Sequence, residues 1–176
     1  LPFYRALARN NMTLIIHSGE EAAFGGEVRQ EYGNPLRLRL ALDAGCTVIV
    51  AHCAAEGTGE DLDTPGSSAR NLDLFLRLLA ENKYRGRLYG DISSLTQINR
   101  AGEALPALLA RPELHTRLVN GSDYPLPGID SLYSAYYLAA RGYLTWHEAR
   151  LLEEIQRHNP LLADFVLKRT LKDPRT

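Results

Sequence analysis

The chain has 176 residues, 45% of them hydrophobic and 23% charged, with a formal net charge of −1. That is ordinary globular composition with enough chain for a real core, read as a single domain over 1–176. Near-zero charge gives no footprint for nucleic acid, and no apolar run nears the ~20 residues of a membrane span.

The opening LPFYRALARNN reads as a helix, with Phe3, Ala6 and Leu7 on one side and Asn10-Asn11 as its stop. It lacks the apolar segment of a signal peptide. With Leu1 in place of Met, it is expected to belong to a longer protein. Residues 13–16, TLII, form the first strand, and Asn34-Pro35 and Gly45 bracket a helix over 35–44. Residues 47–51, TVIVA, form the second strand. Cys46 and Cys53 flank it, so their Cα atoms stand about 23 Å apart at ~3.3 Å per residue, too far for a disulfide. Two small reduced core residues suit a cytoplasmic protein.

Leu72, Phe75, Leu76 and Leu79 follow helical spacing. RLY at 87–89 and RLV at 117–119 are weaker strands around a helix over 101–111 that Pro106 interrupts. Helices are then expected over 129–140, 146–157 and 160–171. Thr145 and Glu148 form a capping box for the second, and Asn159-Pro160 opens the third. Strands alternating with helices predict an α/β fold with a parallel sheet buried on both faces.

The strand-to-helix connections 18–33 and 53–70 are long and rich in Gly and acid, whereas Gly45-Cys46 is short. Parallel α/β folds place their sites in such loops, at the C-terminal strand ends. The four runs deliver His17, His52, Asp91 and Asp123 at those ends. Two neutral imidazoles and a carboxylate are a normal ligand set for a divalent transition metal. Each residue alone has a plainer reading. A strand-end His is most often a hydrogen-bonded edge residue, Asp91 in DISS suits a helix cap, and the Gly-Ser-Asp of RLVNGSDYPLPG is common turn chemistry. His115, His147 and His158 read as surface or second-layer residues. Glu20, Glu21 and Glu56 read as solvated loop acids.

LIIHSGEE, VIVAHCAAEG, RLYGDISS and above all RLVNGSDYP resemble strands five to eight of the amidohydrolase superfamily, in its amidohydrolase-2-type branch of metal-dependent hydrolases. NPLLADFVLKRTL is similar to the family's closing helix. The resemblance implies a (β/α)8 TIM-barrel type, with this chain carrying about strands 5–8 and the C-terminal helices. It also implies a divalent metal, zinc first, held by His17, His52 and Asp123. Asp123 would take the proton of the attacking water, and His52 would be a second ligand or a donor to the substrate carbonyl. The family's strand-one His-x-His pair does not occur here. The implied activity is hydrolysis of a C–N, C–O or lactone bond in a small polar molecule contacted by 18–33 and 53–70. A metal-dependent decarboxylase and a non-catalytic half-barrel module are the alternatives. Four strands cannot close an eight-stranded barrel, so the missing N-terminal half or a second copy is the expected partner; neither nucleic acid nor membrane is.

Overall fold

A computed structural model describes residues 1–20 and 29–175. Packing groups the chain into two compact units, Leu1–Asp91 with Arg117–Val119 and Ile92–Thr116 with Asn120–Thr176. Packing within the chain thus has two centres.

The first unit is built on a parallel sheet. Its strands are β1 (Leu14–Ile16), β2 (Val48–Val50), β5 (Leu88–Asp91) and β6 (Leu118–Val119), hydrogen-bonded in the order β1-β2-β5-β6. All three pairings are parallel, with Ile16 opposite Val50, Val50 opposite Gly90 and Asp91 opposite Val119. Helix α1 (Pro2–Arg9) precedes β1 and ends at Asn10 and Asn11, the latter at φ 52°. The expected helix over 35–44 forms in two pieces, a 3-10 turn Pro35–Leu38 and α2 (Arg39–Asp43). Asn34 caps the first piece by accepting from the Leu36 N–H.

The 53–70 connection, expected as a loop, contains an antiparallel hairpin, β3 (Thr58–Glu60) and β4 (Ser68–Arg70). Helix α3 (Asn71–Ala80) follows directly. Val48, Val50 and Leu88 are fully buried, as are Phe75, Leu78 and Leu79 of α3. Each such side chain contributes about 1.5–3 kcal/mol relative to exposure. The other sheet face is thinner than expected. Ile15, Ile49 and Tyr89 lie in one register row, and Ile15 is 68% exposed. Arg117 clamps the N-terminal end of β6 by donating to the carbonyls of Leu79, Tyr84 and Leu88.

The second unit is helical, with α4 (Ala104–Leu109), α5 (Ala135–Ala140), α6 (Trp146–His158) and α7 (Pro160–Thr170). Ala101, Leu105, Leu138, Tyr143, Leu152 and Leu167 are among its core residues. The Thr145–Glu148 capping box opens α6 as the sequence predicts, and Asn159 caps α7. The helix expected over 129–140 begins only at Ala135. Ser134 accepts from the Tyr137 N–H, and the Ala135 N–H donates to Glu153. Upstream, Leu126–Gly128 is a 3-10 turn. Gly128 and the turn-forming Asp130 and Ser131 give that stretch no reason to be helical. No described helix is long and apolar enough to cross a membrane.

Candidate functional site

Parallel register brings the C-terminal ends of β1, β2 and β5 side by side, so His17, His52 and Asp91 share one edge of the first unit. His52 Nε2 lies 3.0 Å from His17 Nδ1. The rings meet edge-on, with centroids 4.7 Å apart. His52 is 5% exposed and His17 half-buried.

The backbone that presents His52 is unusual. His52, Cys53 and Ala54 all have positive φ, at 38°, 54° and 53°. L-residues in this left-handed region cost roughly 1–2 kcal/mol each, and such strain persists only where surrounding contacts over-determine it. Those contacts are present. The His52 N–H donates to Asp91 Oδ1 at 2.9 Å, Cys53 Sγ–H donates to the Asp91 carbonyl at 3.2 Å, and the Ala55 N–H returns to the His52 carbonyl at 3.1 Å. Burial, with Asp91 nearby, pushes the Cys53 thiol up. Its sulfur serves here as a donor to the Asp91 carbonyl. Asp91 thus has a structural duty in fixing the His52 turn. Gly90 makes room for it, since a Cβ there would stand 2.6 Å from Cys53 Sγ.

The two long loops meet above this edge. The Gly19 N–H donates to the Gly33 carbonyl at 2.8 Å, and the Glu20 N–H to the Glu56 carbonyl at 3.0 Å. Gly19 has φ +97°, and a Cβ on it would stand 2.9 Å from the Glu56 carbonyl oxygen, so the approach needs glycine. Asn71 and Asn34 tie the hairpin down through the carbonyls of Glu56 and Glu60. A cleft of about 190 Å³ opens between Gln30, Asn34, Arg37 and β3. Glu21 lies outside the described residues, as does the rest of 21–28. Glu20 is exposed and Glu56 half-buried.

Asp123 belongs to the second unit and is described by its neighbours there. It is exposed, at φ 57°, in the turn after Val119. Its Oδ2 accepts from Ser94 Oγ at 2.5 Å. Ser94 in turn accepts from Gln97 Nε2 at 3.0 Å, and the same amide reaches the Tyr133 hydroxyl at 3.2 Å. Ser94 and Gln97 are buried, and burial pushes the Tyr133 phenol up. Ser94 is legible in the sequence only as part of a cap, and Tyr133 not at all. The Ser-x-x-Gln spacing of Ser94 and Gln97 just after a strand end was the signal available for Gln97. His147 and His158 are exposed on α6, and His115 is exposed with its Nε2 3.0 Å from the Leu108 carbonyl.

The His17–His52 pair fits half of a metal site. Two nitrogens on one tetrahedral zinc, each at about 2.0–2.1 Å, stand about 3.3–3.4 Å apart, and the observed 3.0 Å lies a few tenths of an ångström inside that. Catalytic zinc takes three protein ligands, and among the described residues no three His, Cys, Asp or Glu side chains cluster as a metal site. The pair therefore supplies two donors.

No family model and no curated protein matches the chain. A solved structure of a candidate 2-pyrone-4,6-dicarboxylic acid hydrolase from Pseudomonas putida is similar over 99% of this chain and 54% of that one, with a TM-score of 0.44 and 16% identity. This chain thus spans about half the length of that protein. The functional reading rests on the site's own residues.

Proposed function

We propose that the chain is part of a metal-dependent hydrolase of the amidohydrolase type, with His17 and His52 as imidazole ligands and Asp123 as the carboxylate that binds the ion and takes a proton. The observation that carries this reading is the 3.0 Å approach of two imidazole nitrogens at the C-terminal edge of a parallel sheet. A bound divalent ion, zinc by ligand type, would supply Lewis acidity toward a polar substrate bond. The chain's own groups do the rest. Ser94 holds Asp123 Oδ2, which leaves Oδ1 to accept the proton of the attacking water and return it to the leaving group. Asp91 and Gly90 keep the His52 imidazole in place. Gln30, Glu31, Asn34 and Arg37 with Thr58–Glu60 line the cleft assigned to the substrate, and a small polar ester, lactone or amide fits such a polar rim.

The half-exposed row Ile15, Ile49 and Tyr89 supports further strands covering that sheet face, as in a (β/α)8 barrel, because soluble proteins do not leave an apolar sheet face and edge open. The test uses the full-length protein. Hydrolysis of a panel of lactones, esters and amides should be lost on chelation and restored by zinc. Carbon dioxide release in place of hydrolysis would favour the decarboxylase chemistry. Activity indifferent to chelation would refute the metal assignment.

A further inference from the structure

We infer that the buried Lys168–Asp164 pair on α7 is a positioning device for the proton-accepting carboxylate. The inference rests on the reading of Asp123 above and adds two residues to that site. Lys168 Nζ lies 2.7 Å from Asp164 Oδ2, with the two side chains 2% and 3% exposed. Surface pairs such as Arg70–Asp73 are, by contrast, about half exposed. Lys168 Nζ also donates to the Gly121 carbonyl at 2.6 Å. Gly121 lies two residues before Asp123, so a buried charge grips the turn that carries the carboxylate.

The turn needs an outside hold. Asp123 sits at φ 57°, a conformation that non-glycine residues leave when released. Three bonds fix it: Lys168 on the Gly121 carbonyl, Ser94 on Asp123 Oδ2, and the Leu126 N–H on the Asp123 carbonyl at 3.0 Å. Only the first has a charged donor. Asp164 and Lys168 are one helical turn apart on the face that carries the buried Ala163 and Leu167. Stability alone gives little reason for an ion pair there, because a well-packed apolar pair of similar volume is commonly as good or better. Asp164 aims the ammonium, and the ammonium holds the backbone. Neither residue touches the reacting atoms.

The experiment compares full-length wild type with Lys168→Met and with Asp164→Leu/Lys168→Met. The double variant removes both charges at once and is expected to melt close to wild type. In it the Leu126 amide should exchange with solvent about tenfold faster or more, with exchange in α6 unchanged. The kcat should fall about 10–100-fold with KM within about twofold, the signature of a displaced group that acts in the transition state. A folded double variant with wild-type exchange at Leu126 and wild-type kcat would overturn the inference. So would a double variant that does not fold, because the pair would then be a structural element of the bundle. If the protein has no hydrolase activity, faster exchange confined to 120–126 still establishes the hold on the turn, and only the role of Asp123 fails.

Discussion

Replacing Gly90 with alanine is expected to damage both the sheet and the His52 turn. A Cβ at Gly90 stands 2.6 Å from Cys53 Sγ and 3.0 Å from Cε1 and Cζ of Phe75. Comfortable separations between such heavy atoms are about 3.5–4.0 Å, so the cysteine contact is short by roughly 1 Å. Neither neighbour yields easily, because Cys53 and Phe75 are both fully buried and the thiol is held to the Asp91 carbonyl. Overpacking of this kind costs about 1–3 kcal/mol. At about 2–4 °C per kcal/mol for a chain of this size, the melting temperature should fall by about 2–12 °C. Urea unfolding of the full-length protein gives the free energy directly, with the midpoint lowered and the slope unchanged. Adding Cys53→Ala removes the shortest contact. Gly90→Ala should therefore cost less in that background, with a coupling of about 0.5 kcal/mol or more. A Gly90→Ala variant as stable as wild type, or strictly additive with Cys53→Ala, would refute the close-approach argument.

Arg117→Met should lower stability by at least ~2 kcal/mol, because three carbonyls lose a charged donor; an unchanged melting temperature would contradict that. Glu148 is held down to about 2 by the Lys172 ammonium first and by Thr145 next. A lowered carboxylate pKa stabilises above the ordinary value near 4.5, and the contribution disappears as pH falls through about 2. The melting-temperature gap between wild type and Glu148→Gln should therefore shrink from pH 5 to pH 2, and a constant gap would show that the charge contributes nothing. Asp123→Asn should cut turnover by about 10²–10⁴-fold, since the amide keeps the shape but accepts no proton; steady-state kinetics with full turnover would remove Asp123 from the chemistry. His52→Ala tests its role by metal analysis: as a ligand its loss should cost bound metal, whereas a group that only polarises the substrate carbonyl would slow turnover with metal content unchanged.

The sequence exposed the strand ends clearly. TLII and TVIVA are too short and too β-branched for helices, and a parallel sheet aligns whatever residue follows each run, so His17 and His52 meet at 3.0 Å. The caps at Asn34, Thr145 and Asn159 were legible for the same local reason, a side-chain acceptor just before a helical pattern. What was hidden depended on contacts distant in sequence. The three left-handed residues at His52–Ala54 are set by Asp91, which lies in another strand. The hairpin in 53–70 is written in Gly, Ser and acid, which carry no strand signal. Ser94 and Lys168 owe their roles to the turn around Asp123, and neither has a neighbour in sequence that points to it. Gly90 was a missed signal, because glycine inside a strand marks a close approach.

Metal content per chain of the purified full-length protein, measured beside the His17→Ala variant, tests the central claim most directly. The account predicts tightly held zinc or a related divalent ion at one or two per chain in the wild type, and a clear loss of it when the His17 imidazole is removed from its partner on His52. Equal metal content in the two proteins, with both folded, would contradict it.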